Sequence, residues 1–248
     1  MKDLPETRSS SILSLYFISV SLLGLFLLVA LTFAVPTKVH SSWQRHVVGS
    51  IFGLILLLGI SAGVYPSTCS RMLHVKRKIN RTSVSDINNR GMTESTRKFE
   101  GHHPSCGNFS AHVFHMGGKT YCAGCMGLVI GAATSFCGTV VFFFTEFLLD
   151  GVGTVFFWLG VIGVASGILQ YDLFGTKKSY LHLSLNVMFV VGAFLLLVGV
   201  EEITNNSILE GYLLILIVFW ILARILLSQQ EHRKVCLACG LESCPFLE

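Results

Sequence analysis

Six apolar runs, at positions 11–35, 47–65, 126–149, 152–171, 180–200 and 208–228, dominate this sequence, and each is 19 to 25 residues long. A helix rises about 1.5 Å per residue, so roughly 20 residues cross a hydrocarbon core of about 30 Å. The chain is 52% hydrophobic and only 13% charged, where soluble domains carry about 25% charge. Disorder, a collagen-like chain and an ordinary soluble globule are excluded. The expected fold is all-α: a polytopic protein of the cell (plasma) membrane whose six transmembrane helices contact the lipid bilayer. Lys2 and Arg8 ahead of the first run also fit a signal peptide, but 25 apolar residues exceed the 7–15 of a signal core, which favours an uncleaved helix.

Lys and Arg collect on the cytoplasmic side of short loops. With six spans and the N-terminus inside, sixteen of the 18 basic residues fall inside, and Lys38 and Arg45 fall outside. Both termini are therefore expected in the cytoplasm. Glu146, Asp150, Glu201, Glu202 and Glu210 fall outside. The chain divides into an N-terminal transmembrane hairpin (1–65), a basic polar linker (66–100), a Cys/His module (101–125), a four-helix membrane region (126–228) and a Cys-rich tail (229–248). Within the linker, "RMLHVKRKINR" (71–81) is a basic juxtamembrane stretch. It serves as a topology signal, with contact to anionic lipid head groups as a further use. No aromatic residue interleaves these charges, so nucleic acid is not an expected partner. Residues 79–98 are almost free of apolar side chains and read as a tether.

Small residues four apart let apolar helices approach closely. Gly49 and Gly53, Gly59 and Gly63, Gly127 and Gly131, and Gly163 and Gly167 have this spacing, so spans two to four are expected to form the close-packed centre. Polar residues within spans are few: Gln170, Tyr171 and Asp172 end the fourth, and His182 and Asn186 begin the fifth. Gln170, His182 and Asn186 outline either a polar cavity for a substrate or ordinary interhelical hydrogen bonds. No charge is expected at mid-membrane, which weighs against a transporter.

Cysteine and histidine are clustered. His102, His103, Cys106, His112, His115, Cys122 and Cys125 lie in "GHHPSCGNFSAHVFHMGGKTYCAGCMG", and His232, Cys236, Cys239 and Cys244 lie in "EHRKVCLACGLESCPFLE". The topology puts both clusters in the reducing cytoplasm, where such spacing favours metal over disulfides. A CxxC turn points two thiolates at one ion about 2.3 Å from each sulfur, and two turns complete a tetrahedron around zinc. "CAGC" (122–125) and "CLAC" (236–239) are two such turns. One arrangement joins Cys122, Cys125, Cys236 and Cys239, with Cys106, Cys244 and two of the four histidines at a second site. Another keeps each cluster separate, with His102 or His103 joining Cys106, Cys122 and Cys125. Histidine-rich surroundings suit zinc better than an iron–sulfur cluster, and the tail's CxxC-x4-C-P departs from the common iron–sulfur spacing. Cys69 and Cys137 read as ordinary small residues. A redox dithiol at Cys122 and Cys125 fits the helix start, but membrane thiol oxidoreductases usually face outward. HExxH, the phosphate-binding glycine loop, GxSxG and CxxCH are absent.

"HHP" (102–104), Gly117 or Gly118, and "CAGCMGLVIG" (122–131), followed by Gly167, Gln170, Ser184 and Asn186, resemble a family of prokaryotic, archaeal-like predicted membrane proteins of unknown function. Its members carry a His-Pro start and a CARCTG-x-Y-x-G-like motif leading into a membrane helix. Gly124 and Met126 stand where Arg and Thr are usual. The resemblance covers about residues 101–200 and implies a membrane protein with a Cys-based site, without supplying a reaction.

The role expected from the sequence is structural or interactive. A metal fastens the tail to the bundle and shapes a surface for a protein partner, since metal binding supplies folding free energy to segments with little core. The alternative is a membrane enzyme, with an open metal position or a reactive thiolate acting on a lipid or small molecule near Gln170, His182 and Asn186.

Overall fold

The computed structural model describes residues 5–34, 42–64, 99–100, 113–116, 119–145, 151–173 and 179–238. Six helices account for most of them: α1 (Pro5–Ala34), α2 (Ser42–Val64), α3 (Ala123–Phe144), α4 (Gly153–Leu173), α5 (Ser179–Thr204) and α6 (Ser207–Ala238). All six are long and apolar enough to span a membrane, over Ile12–Ala34, Trp43–Val64, Ala123–Phe144, Gly153–Gln170, Ser179–Thr204 and Ser207–Gln230. The chain is a multi-pass integral membrane protein. Helix α6 continues past its apolar stretch, so residue 236 lies within the helix rather than in a separate tail turn.

Each helix satisfies its backbone internally, and the side chains sort by what they face. Phe26 and Ile215, both 70% exposed, belong to the lipid-facing surface. Leu196, Leu197, Leu213, Phe157 and Trp220 are enclosed. Helix α5 is the hub, packing extensively on α4 and on α3, while α2 lies against α3 and α1 against α6. The sequence placed the centre in spans two to four instead. Gly49, Gly63, Gly127, Gly131, Gly163 and Gly167 do mark close approaches, whereas Gly53 makes an ordinary contact and Gly59 faces open space; spacing identifies where a backbone can approach and not which helix approaches it. At Gly163 of α4 an added Cβ would lie 2.8 Å from the Met188 carbonyl oxygen and 3.0 Å from the Gly192 Cα, so α4 and α5 touch backbone to backbone.

The contacts also fix direction. Ser14 meets Gln230 while the Tyr212 hydroxyl donates to the Gly24 carbonyl at 3.2 Å, making α1 and α6 antiparallel. Gly49 faces Phe143 and Gly63 faces Val129, making α2 and α3 antiparallel. Gly127 faces Asn186 and Gly138 faces Phe194, making α3 and α5 parallel. The starts of α1, α3 and α5 therefore share one end of the bundle with the ends of α2, α4 and α6. We call it the cysteine end.

At the opposite end Asn205 and Asn206 join α5 to α6. Asn205 takes φ 49°, a left-handed conformation that asparagine tolerates better than most residues. The Asn206 side chain accepts from the Ile208 amide at 3.1 Å, capping α6.

One feature departs from an all-helical chain. Strands β1 (Phe99–Glu100), β2 (Val113–Met116) and β3 (Lys119–Cys122) form a three-stranded sheet in the order β1-β3-β2. β2 and β3 pair antiparallel from Val113↔Cys122 to Met116↔Lys119, and β1 pairs with β3 in parallel. The two residues between β2 and β3 are Gly117 and Gly118, a pair suited to a tight hairpin.

Candidate functional site

The sheet runs directly into the membrane. Cys122 is the last residue of β3 and also the N-cap of α3, with extended φ −74° and ψ 121°. Its side chain makes no capping hydrogen bond, and it is buried at 2% exposure. Cys125 is half-buried in the first turn of the same helix. A strand entering a helix with three-residue spacing sets both sulfurs at one junction, where the helix N-terminus favours negative charge. The ladder register also puts residues 115 and 122 on one face of the sheet as diagonal neighbours.

Of the ten metal ligands expected from sequence, these two cysteines have described side chains. His115 and Cys236 are placed by backbone in β2 and α6. His102, His103, Cys106, His112, Cys239 and Cys244 lie outside the described residues. Among the described residues no three His, Cys, Asp or Glu side chains converge on a metal position. The basic stretch 71–81 and the tether 79–98 also lie outside the described residues, as do the side chains of Tyr171 and Asp172.

A polar cluster lies deeper in the bundle, toward the same end. Asn186 of α5 is buried at 4% exposure and Arg224 of α6 at 7%. The Arg224 Nη2 donates to Asn186 Oδ1, and its Nη1 donates to the Gly167 carbonyl of α4 at 3.2 Å. The guanidinium also stands 4.7 Å from the centre of the Phe189 ring, a cation–π distance. The Asn186 amide nitrogen donates to the His182 carbonyl one turn back. Gln170, 2% exposed, ends the span of α4 one turn beyond Gly167, and neither of its amide atoms has a hydrogen-bond partner among the described residues. A narrow crevice lined by Ser21, Gly167, Phe189, Trp220 and Arg224 opens beside the cluster.

Asn186 thus belongs to a three-helix hydrogen-bonded junction, and His182 contributes its carbonyl to it. Sequence reasoning missed Arg224, the residue that makes the junction, by counting it among the basic residues of the chain end. The signal was its position inside the run 208–228. A buried guanidinium in lipid needs acceptors, and polar groups early in α5 and late in α4 supply them.

The opposite end holds a second unexpected feature. Glu201 and Glu210, counted as external acidic residues, are buried at 5% and 0% exposure in α5 and α6, with their carboxyl groups in reach of each other. Glu210 sits in the first turn of α6, where helix amides favour negative charge. Nearby, the Ser207 hydroxyl donates to Gln44 Oε1 at 2.9 Å, and Arg45 donates to the Phe142 carbonyl at 2.7 Å while lying 4.3 Å over its ring.

Comparison with protein families, with curated proteins and with solved structures finds no match to this chain. The functional reading rests on the residues themselves.

Proposed function

We propose that this membrane protein carries a structural zinc site at its cysteine end, in the cytoplasm, and that the site fastens the C-terminal tail to the helical bundle and forms a docking surface for another protein. Cys122, Cys125, Cys236 and Cys239 are the first ligand set. Cys106 and Cys244 with two of His102, His103, His112 and His115 are the second. One observation supports this reading above the rest: a β-hairpin delivers Cys122 to the start of α3 with Cys125 one turn on, at the end of the bundle to which α6 brings Cys236. Four thiolates at about 2.3 Å close a zinc shell and leave no open position, which is the pattern of a structural site.

The membrane-enzyme alternative needs an accessible polar cavity around Gln170, His182 and Asn186. Asn186 is already engaged by Arg224 and by the His182 carbonyl, which favours packing over substrate binding there.

The test is metal analysis of the full chain purified in detergent without added chelator. At least one equivalent of zinc is expected, lost when Cys122 and Cys125 are replaced together by serine. A folded chain without zinc or iron overturns the reading.

A further inference from the structure

We infer that Glu201 and Glu210 form a proton-binding site at the end of the bundle opposite the cysteines, independent of any metal. In it Glu210 is a neutral acid that donates its hydroxyl to the Glu201 carboxylate and latches α5 to α6.

The connection between the two helices builds the pair. The Asn205 amide donates to the Glu201 carbonyl at 2.9 Å, and the Glu210 amide donates to the Asn206 carbonyl at 3.0 Å. Glu201 therefore stands one turn before the connection and Glu210 one turn after it, and the antiparallel helices set those two turns side by side. Both side chains are more than nine-tenths buried, with their carboxyl groups in reach of each other. Glu210 is fully enclosed, and neither of its carboxyl oxygens accepts a hydrogen bond from any group among the described residues.

An enclosed carboxyl group needs a cation, hydrogen-bond donors or a proton. The other titratable groups described at this end are Arg45, His46, Glu202 and Tyr212. Arg45 of α2 is engaged by the carbonyl and ring of Phe142 on α3. His46 of α2 stands edge-on to the Phe144 ring, 5.5 Å between centres. The Tyr212 hydroxyl donates to the Gly24 carbonyl of α1. Glu202 packs against Gly153 of α4 and brings a further acid. The nearby uncharged groups serve their own backbone: the Thr204 hydroxyl donates to the Val200 carbonyl at 2.8 Å, and the Asn206 side chain accepts from the Ile208 amide.

A bound metal ion fits this setting poorly. Calcium takes about six to eight oxygens and magnesium demands a near-octahedral shell, whereas no third His, Cys, Asp or Glu joins the pair among the described residues. A proton needs only two facing oxygens. Glu210 also lies in the first turn of α6, where the helix amides amount to roughly half a positive charge. They favour one negative charge and leave a second uncompensated. Two carboxyl groups sharing one site do not both persist as anions, and one proton between them gives a short, charge-assisted O–H···O⁻ bond. With the proton, α5 and α6 attract at this end; without it, two like charges face each other across the same interface.

The experiment is infrared difference spectroscopy of the full chain in detergent at neutral pH, in H₂O and in D₂O. The unmodified chain is expected to show the C=O band of a protonated carboxylic acid, shifted by deuteration. Glu210→Gln is expected to lose the band and Glu202→Gln to keep it. Glu201→Gln exchanges a charged acceptor for a neutral one and is expected to move the band to higher frequency; this variant carries the assignment if Glu210→Gln does not yield folded protein. Alkaline titration is expected to lower Tm further in the unmodified chain than in Glu210→Gln, which has no proton to lose at this position. Absence of the band from the unmodified chain overturns the proposal, as does a band that survives in folded Glu210→Gln or stays unmoved in Glu201→Gln. A missing band together with a Tm raised by sodium, magnesium or calcium makes the pair a cation site instead. None of these outcomes depends on zinc at the cysteine end.

Discussion

The guanidinium of Arg224 on α6 donates to the side-chain oxygen of Asn186 on α5, inside a bundle in which both residues are more than nine-tenths buried. Arg is always charged, and a charge enclosed by helices stays stable only while its donors meet acceptors. Asn186→Ala removes one acceptor and leaves the guanidinium in place. Hydrogen bonds to charged groups contribute about 1.5–3 kcal/mol, so a loss of that size is expected. Reversible unfolding of the purified protein in mixed micelles checks it, and a change below about 0.5 kcal/mol, the range of surface substitutions, counts against the junction.

The α4–α5 seam depends on the absence of side chains at particular points. A Cβ at Gly192 would lie 2.9 Å from the Val164 amide nitrogen and 3.0 Å from the Gly163 carbonyl carbon, both fixed backbone atoms. Gly192→Val is therefore expected to force the helices apart, at a cost of about 1–3 kcal/mol or more. Gly59 on α2 has nothing within 4 Å of its added Cβ, and Gly59→Ala is expected to be neutral or to stabilise by up to about 1 kcal/mol through helix propensity. The comparison is of Tm and of yield in the membrane fraction, and equal effects at the two positions contradict the packing described here.

The helix directions place the start of α1 and the end of α6 at one end of the bundle, and the distribution of basic residues predicts that this end faces the cytoplasm. Fusion of a fluorescent protein after residue 248 is expected to give fluorescent cells. A reporter phosphatase that folds only outside the cytoplasm is expected to be inactive there and active when inserted between Asn205 and Asn206. The reverse pattern inverts the orientation and moves the cysteine clusters to an oxidising compartment.

How much of this was legible in sequence depends on how each signal arises. The six spans were, because lipid demands apolar length and the chain supplies it in uninterrupted runs; Ile12–Ala34 against 11–35 is typical. The close approaches at Gly127, Gly163 and Gly167 were also legible, since a missing side chain is a local property. Their shared partner α5 was not. Tertiary neighbours depend on every helix at once, and α5 carries Gly192 without a second small residue at the usual spacing of four. The β2–β3 hairpin was overlooked although Gly117-Gly118 separates "VFHM" from "KTYC", because four-residue strands leave little periodicity to read. Arg224, Glu201 and Glu210 were misplaced for one reason: charge was used to assign sides of the membrane, which presumes that charges lie outside the bundle.

Cys122, at the N-cap of α3, and Cys137, within the helix, give the sharpest separation between a site and ordinary composition. Cys122 is buried at the strand–helix junction, whereas Cys137, in the middle of the same helix, is exposed on its surface. Both are chemically identical thiols on one helix, so a general sensitivity of the protein to cysteine replacement affects both variants. Cys122→Ser keeps the size nearly constant but substitutes a hydroxyl where a zinc ligand needs a thiolate. It is expected to lose bound zinc and, because metal binding supplies folding free energy, to lower the amount of protein recovered from membranes. Cys137→Ser is expected to retain both. Chelator treatment of the unmodified chain should reproduce the Cys122→Ser state reversibly, with the thiol at 122 becoming open to alkylation on metal removal and protected again when zinc is restored. Rapid alkylation at residue 122 before any chelator is added instead identifies a reactive dithiol, and makes the junction a redox centre rather than a structural one.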